Sequence, residues 1–451
     1  TALIALGAVH CARWACCLRL QPTRKKGQLA LSARTLDQWL AYQLQQHPKA
    51  IALGLERTRA VAERLGVLAP AARVVSVAGT NGKGSTVAFL EACARAAGWR
   101  VGAFTSPHVL HYNERIRLDG KDVDDARLIA AFECIDRARA DIPLTYFEFG
   151  TLAALLIFAE AGLDLAILEV GLGGRLDAVN VIDADIAVIT GIGLDHTDWL
   201  GENRDLIGAE KAGIARPGRL AVVGDRDAPE GLLTTLRQQH AQIQRIGEDF
   251  DARALDAEHW RYHDDSTDWR LPTPALAADC QRDNAACAVR AMRALGIGEV
   301  ACRQGVATAH AKARLQIVAK APDIVLDVAH NPQAAEQLAR WLDSHPLCGA
   351  THAVFAALGD KDAAGIVDAL GTRIAHWHLA GLEVAGRTQS AAQLQARVDR
   401  WPGPWQTHIS VANALSAARR AATVRDRVLV FGSFHTVAEA CLALQDEGIQ
   451  L

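Results

Sequence analysis

Residues 73–97 pass from an apolar run, Arg73-Val74-Val75-Ser76-Val77, through Ala78-Gly79-Thr80-Asn81-Gly82-Lys83-Gly84-Ser85 into a helix-forming stretch, Thr86 to Ala97. A buried strand, a glycine-rich turn and a helix start in immediate succession leave few folds open. Such a turn aims several backbone N–H groups at one point, and the helix start adds its own unpaired N–H groups. That arrangement cradles a phosphate, with Lys83 as a compact cation for the outer phosphates and a hydroxyl able to reach Mg2+. The spacing is a variant one. Only Thr80 and Asn81 separate Gly79 from Gly82, and Gly84 intervenes between Lys83 and Ser85. On the loop alone, a short turn that binds no nucleotide is the alternative.

Strand and helix patterns alternate downstream. Arg100–Phe104, Leu165–Val170, Ile186–Thr190 and Leu220–Val223 are short, apolar and turn-bounded, as buried parallel strands are. Helical stretches near 126–139, 149–160 and 203–214 lie between them. Periodicity weakens from about 244 to 274, a helix follows over 282–295, and a second alternating block begins near Asp323. The pattern predicts an α/β chain: a P-loop-type ATPase domain with a mainly parallel sheet over 32–310, a connector over 311–322, and a smaller Rossmann-like domain over 323–451. Residues 1–31 carry their basic cluster after the apolar stretch, the reverse of a signal peptide, and read as an extension outside the catalytic body.

The formal net charge of −3 gives no global basic surface, which argues against nucleic acid as a partner. No run approaches a membrane span. Ten cysteines without a CxxC pair read as isolated buried hydrophobes of a reducing, cytoplasmic compartment. Absence of exposed heptads makes a monomer the expected state. Nine lysines stand against 39 arginines, so a lysine inside a motif draws attention.

Three further motifs follow the loop. Glu169 closes an apolar strand before Gly171-Leu172-Gly173-Gly174, and reads either as a Mg2+ ligand or as an ordinary strand-end acid. His196, in Leu194-Asp195-His196-Thr197-Asp198, reads either as a second ligand or as a structural histidine. Lys211, in Glu210-Lys211-Ala212-Gly213-Ile214, is a helix lysine that a metal-rich site would repel unless its charge were inverted.

These segments, in this order, resemble the Mur-ligase-type ATP-dependent amide ligases, and more closely the bacterial bifunctional dihydrofolate synthase/folylpolyglutamate synthases. Leu53 to Arg57, Thr105 to His108, Asn113 to Arg117, Leu144 to Gly150, Asp327 to Pro332 and Gly432 to Val437 extend the resemblance over about residues 35–444. It implies ATP contacts at Thr80, Asn81, Gly82, Lys83, Gly84, Ser85, Asn284, Arg314 and Asp327. It implies ligands for Mg2+, two ions, at Ser106, Glu169, His196 and Lys211, the last as a CO2-derived lysine carbamate. A pterin pocket is implied at Ala50, Ile51, Ala52, Thr145, Tyr146, Phe147 and Leu176, where the two aromatic faces suit a flat heterocycle or, equally, core packing. His330 is the candidate for the incoming amine by motif position, with a structural role as its alternative.

The implied reaction joins L-glutamate to dihydropteroate and/or reduced folates through an acyl phosphate. Two departures stand out. Ala52 occupies a position commonly acidic in the family, and Lys312-Ala313 replaces a frequent Pro-Gly before Arg314. The rival readings are a Mur-type peptidoglycan ligase and a non-catalytic nucleotide-binding protein.

Overall fold

The computed structural model describes residues 34–384 and 387–450; the expected extension, residues 1–31, lies outside them. Eight strands form the first sheet: β1 (Val74–Ala78), β2 (Val101–Phe104), β3 (Ile116–Leu118), β4 (Lys121–Asp122), β5 (Leu165–Glu169), β6 (Ile186–Ile189), β7 (Leu220–Val223) and β8 (Gln242–Arg245). Their order is β4-β3-β2-β5-β1-β6-β7-β8. Neighbours from β2 to β8 are parallel, and β3 and β4 add an antiparallel edge.

The apolar runs are explained by burial on both faces. Val75 and Val77 pack on helices Lys83–Ala96 and Cys280–Ala294, while Val74 and Ala78 pack on the side of Asp125–Arg139 and Tyr146–Ala161. The last of these helices is fixed at both ends. Thr145 and Glu148 form a reciprocal capping box at its start, and Gly162 ends it in the left-handed region.

The segment 244–274, where helical periodicity fades, is an antiparallel meander of β9 (Phe250–Ala254), β10 (His259–Asp264) and β11 (Thr267–Pro272). Trp260 and Tyr262 point inward and are fully buried, and Arg261 between them is exposed. That is a period of two, which a search for helix and parallel-strand signals passes over.

The second sheet comprises β12 (Gln316–Ala319), β13 (Asp323–Leu326), β14 (Thr351–Phe355), β15 (His376–Ala380), β16 (Trp405–His408) and β17 (Arg427–Phe431), ordered β12-β13-β17-β14-β15-β16. All pairs are parallel except β12 with β13. Strand β12 falls inside the segment expected to be a connector.

One face of this sheet carries an imidazole ladder. The His352 ring stacks 4.8 Å from His376 and 5.9 Å from His378, and His378 lies 5.4 Å from His408. Burial, reinforced by His408, His352 and His376, lowers the His378 pKa to about 4. Asp426 stands 3.9 Å from His352, and Arg420 adds positive charge beside His408. His378 therefore folds neutral, and the unfolded chain takes up its proton first. Its stabilisation is complete above about pH 6.5 and is lost as pH falls toward 4. We expect the melting temperature of a His378→Leu variant to fall less steeply than wild type over that interval; parallel curves would contradict it.

The order β2-β5-β1-β6 contains the switch point. After β1 the chain leaves to β2 on the far side of β5, then returns through β5 to β6. The loops following β1, β2, β5 and β6 therefore open around one crevice at the carboxyl ends of the strands, where open α/β sheets hold ligands.

Candidate functional site

Gly79 and Gly82 shape the turn after β1. Both have positive φ, +152° and +87°. A Cβ at Gly79 would lie 1.8 Å from Thr190 Oγ1, and one at Gly82 would lie 2.6 Å from Asn284 Oδ1. No side chain fits either place, so bare backbone faces the crevice. Thr80 and Thr190 brace the turn: Thr80 Oγ1 donates to Gly193 O at 3.0 Å, and Thr190 Oγ1 to Asn81 O at 2.6 Å. Lys83 opens the helix, and its Nζ donates to Gly79 O at 3.0 Å and Thr80 O at 3.2 Å. Burial holds this amine below its usual range, against the pull of the Glu169 carboxylate.

Glu169, the last residue of β5, is buried and accepts the Ser106 N–H at 3.0 Å. Burial raises its pKa, with Lys83 opposing. His196 sits in the left-handed region at φ +53°, and burial lowers its ring to about 4 despite Asp195. Lys211 is buried on helix Arg204–Ala212 and joins no ion pair among the described residues; burial, then Lys83, brings its amine to about 7. Gly174 packs against the helix so closely that a Cβ would lie 2.9 Å from Lys211 Cα.

The second sheet contributes the opposite wall. Arg314 is enclosed, with its guanidinium 5.4 Å from the Phe434 ring. Its neighbours Ala313 and Leu315 both take positive φ, +53° and +48°. Asp327 accepts N–H bonds from Leu315 at 2.9 Å and Ala329 at 2.7 Å. Burial raises the Asp327 carboxyl, with Arg314 opposing. One cavity of about 210 Å3 is lined by residues 79–85, Ser106, Glu169, His196, Lys211, Asn284, Arg314, Asp327 and His330. Every residue expected to meet nucleotide or metal is thus in one place.

The pterin-side residues gather beside it rather than in its lining. Gly54 N donates to Leu176 O at 3.2 Å, and Arg57 donates to Ala52 O at 2.7 Å while pairing with Glu148 at 3.0 Å. The loop 50–54, Leu176 and the start of helix Tyr146–Ala161 are thereby joined. Ala50 and Ile51 are exposed. The Phe147 ring lies tilted against Phe104 at 5.9 Å, and Tyr146 meets Tyr112 edge-on at 5.6 Å.

The contacts between the two sheets join residues far apart in sequence. Lys361 Nζ, buried, lies 2.5 Å from Asp195 Oδ1, and His330 Nε2 lies 3.3 Å from Asp195 Oδ2. Burial pushes the Asp195 carboxyl up, but His330, His196 and Lys361 outweigh it and hold it below the usual range. Asn81, expected on nucleotide, donates to Asn331 Oδ1 at 3.1 Å and Gln333 Oε1 at 2.8 Å. Asp177 is a further buried acid, taking N–H bonds from Gly171, Leu172 and Val179, and burial raises it to about 7.

The glycine cradle fits a polyphosphate. Among the described residues no three His, Cys, Asp or Glu side chains converge as a metal site. Ser106 and Glu169 offer oxygen and His196 a neutral imidazole, a set acceptable to a divalent cation. Lys211 joins that set only as an anion. No helix of the described residues is long and apolar enough to cross a membrane.

Two family profiles match the chain: the Mur ligase middle domain over 77–281, and the Mur ligase, glutamate ligase domain over 313–434. A dihydrofolate synthase/folylpolyglutamate synthase of Escherichia coli K12 is 46% identical over 410 residues, 90% of this chain and 95% of the relative. One from Haemophilus influenzae is 38% identical over 432 residues, 90% and 96%. E. coli FolC in complex with DHPP and ADP superposes with a TM-score of 0.88 at 44% identity, covering 92% of this chain and 99% of that one. A bifunctional folylpolyglutamate synthase/dihydrofolate synthase with Mn, AMPPNP and L-glutamate bound superposes at 0.86 with 42% identity, covering 93% and 100%. With both profiles in sequence and relatives this similar over nearly their whole length, the chain belongs to the dihydrofolate synthase/folylpolyglutamate synthase family of Mur ligases.

Proposed function

We propose that this chain is an ATP-dependent ligase that joins L-glutamate to dihydropteroate, to reduced folates, or to both. The observation that carries this reading is the enclosure of the glycine cradle, Glu169, His196, Lys211, Arg314 and Asp327 in one cavity between two sheets. The relatives' names and the ADP, AMPPNP, DHPP and L-glutamate in related structures support it.

In this reading an acceptor carboxylate oxygen attacks the γ-phosphorus of ATP and ADP departs. The acyl phosphate is then attacked at carbon by the glutamate nitrogen, which loses a proton, and phosphate leaves with the oxygen that made the first attack. A carboxylate alone offers no such leaving group. The work is positioning and charge neutralisation. Lys83 and the bare loop N–H groups receive the phosphates. Asn284, Arg314 and Asp327 hold the nucleotide from both lobes, so closure completes the site. Ser106, Glu169, His196 and a carbamoylated Lys211 would hold two Mg2+ ions, which would supply further neutralisation of the phosphates. His330, held on Asp195, stands where the amine arrives. Ala50, Ile51, Ala52, Thr145, Tyr146, Phe147 and Leu176 take the pterin. We place the protein in the cytoplasm as a monomer.

Acceptor carrying oxygen-18 in its carboxylate tests the reading. We expect ADP release that requires glutamate and one labelled oxygen in the phosphate. Product without label in phosphate would overturn the mechanism, and turnover only with a nucleotide-sugar peptide would move the chain to the peptidoglycan ligases.

A further inference from the structure

Arg115 closes the short 3-10 turn Tyr112–Arg115 and is 8% exposed. Its Nε donates to His108 Nδ1 at 2.9 Å, and its guanidinium lies 5.3 Å from the Tyr112 ring and 5.5 Å from the Tyr146 ring. No carboxylate pairs with it among the described residues. The adjacent Glu114 turns away, accepting N–H bonds from Val109 and Leu110 and pairing with Lys312 at 2.9 Å. Other arginines nearby are matched: Arg57 with Glu148, Arg117 with Glu91, Arg139 with Asp136. His108 meets it through a ring nitrogen and brings no carboxylate.

A guanidinium withdrawn from water without an anion is costly, and two rings and an imidazole return only part of that. The fork matches a carboxylate, and its position says whose. His108 is two residues past Ser106, whose N–H meets Glu169, and Tyr146 belongs to the aromatic side of the proposed folate pocket. Arg115 thus connects the segment that carries Ser106 with Tyr146 of the proposed pterin pocket.

We propose that Arg115 is a positioning residue that binds the spare carboxylate of a glutamylated acceptor, the one on the terminal glutamate that is not phosphorylated. This deepens the ligase reading and rests on it. The activated carboxylate is a poor partner for Arg115, since a bidentate pair with a guanidinium would withdraw electron density from the attacking oxygen. Dihydropteroate has a single carboxylate. An acceptor that already carries glutamate has another, a few bonds away. Arg115 accordingly favours glutamate addition to folates over the first addition to dihydropteroate.

The test compares dihydropteroate with tetrahydropteroylglutamate in wild type, Arg115→Met and Arg115→Lys, by steady-state kinetics and by fluorescence binding without turnover. For Arg115→Met we expect KM and Kd for tetrahydropteroylglutamate to rise about 30-fold or more, and the ratio of kcat/KM between the two acceptors to shift by at least about tenfold. Arg115→Lys should recover part of the loss. Equal losses on both acceptors, or a loss confined to kcat or to KM for ATP, would overturn the proposal. Should the variants fail to fold, wild type with the spare carboxylate converted to a primary amide gives the same answer: weaker binding by a similar factor supports it, and unchanged binding refutes it. A wild type that binds both acceptors yet ligates neither contradicts the ligase reading, and the Kd comparison then decides Arg115 separately.

Discussion

Lys211→Ala is expected to lose about 100- to 1,000-fold in kcat, with part of the activity returning when acetate or formate is added. Lys211 is buried and joins no ion pair among the described residues, and it shares the cavity with Lys83. A second ammonium there would repel Lys83, while raising no barrier to ATP as such. Its surroundings favour the neutral amine. At a pKa of about 7, roughly half of the side chain is deprotonated at neutral pH, against about one part in several thousand for an ordinary lysine. The carbamate reading needs that neutral form, whose nitrogen adds CO2 and loses a proton to water to leave an anion. An external carboxylate can occupy the space the alanine leaves. Lys211→Arg, always charged, should be as inactive as Lys211→Ala and should not respond to acetate. At equal dissolved CO2, enzyme stripped of CO2 should regain activity faster at pH 8 than at pH 6, because the reactive amine fraction rises through pH 7. Wild-type turnover from Lys211→Ala would remove the carbamate from the mechanism.

The parts of this site that the sequence exposes are those in which a strand, its terminal residue and the following turn are contiguous. The loop 79–85 after β1, Glu169 closing β5 and His196 beyond β6 each carry a local signature, because burial on both faces makes the strand apolar and the polar groups gather at its carboxyl end. The contacts between lobes carry none. Asp195 and Lys361 are separated by 166 residues, and Asn81 and Asn331 by 250, so their pairing is a property of how the two sheets pack. One hint was available: three of the nine lysines in this arginine-rich chain, at 83, 211 and 361, lie at or beside the cavity. The meander β9–β11 shows the other route to a miss. Trp260 and Tyr262 alternate with Arg261 and His263, a two-residue period hidden among aspartates. Arg115 is a third case, since a buried guanidinium without a carboxylate is recognisable only when its surroundings are seen.

Lys83→Ala should reduce kcat by about 1,000-fold or more, with binding of ADP weakened far less. Two loop carbonyls and the Glu169 carboxylate compete for this amine. An incoming polyphosphate offers more negative charge than either carbonyl, so the amine can follow the charge as it develops on the transferred group. The loop N–H groups and the helix start remain in Lys83→Ala, and they keep much of the ground-state affinity. What disappears is the mobile point charge, an interaction that strengthens toward the transition state, and such losses fall on kcat rather than on binding. Lys83→Arg should not rescue turnover. The guanidinium fork is larger and flat, and the turn beneath it is already so tight that Gly79 and Gly82 tolerate no Cβ. Single-turnover rates at saturating ATP, read beside ADP affinity by calorimetry, separate the two effects. A variant that loses affinity and rate in equal measure would make Lys83 an anchor for the nucleotide and leave the charge development to other groups.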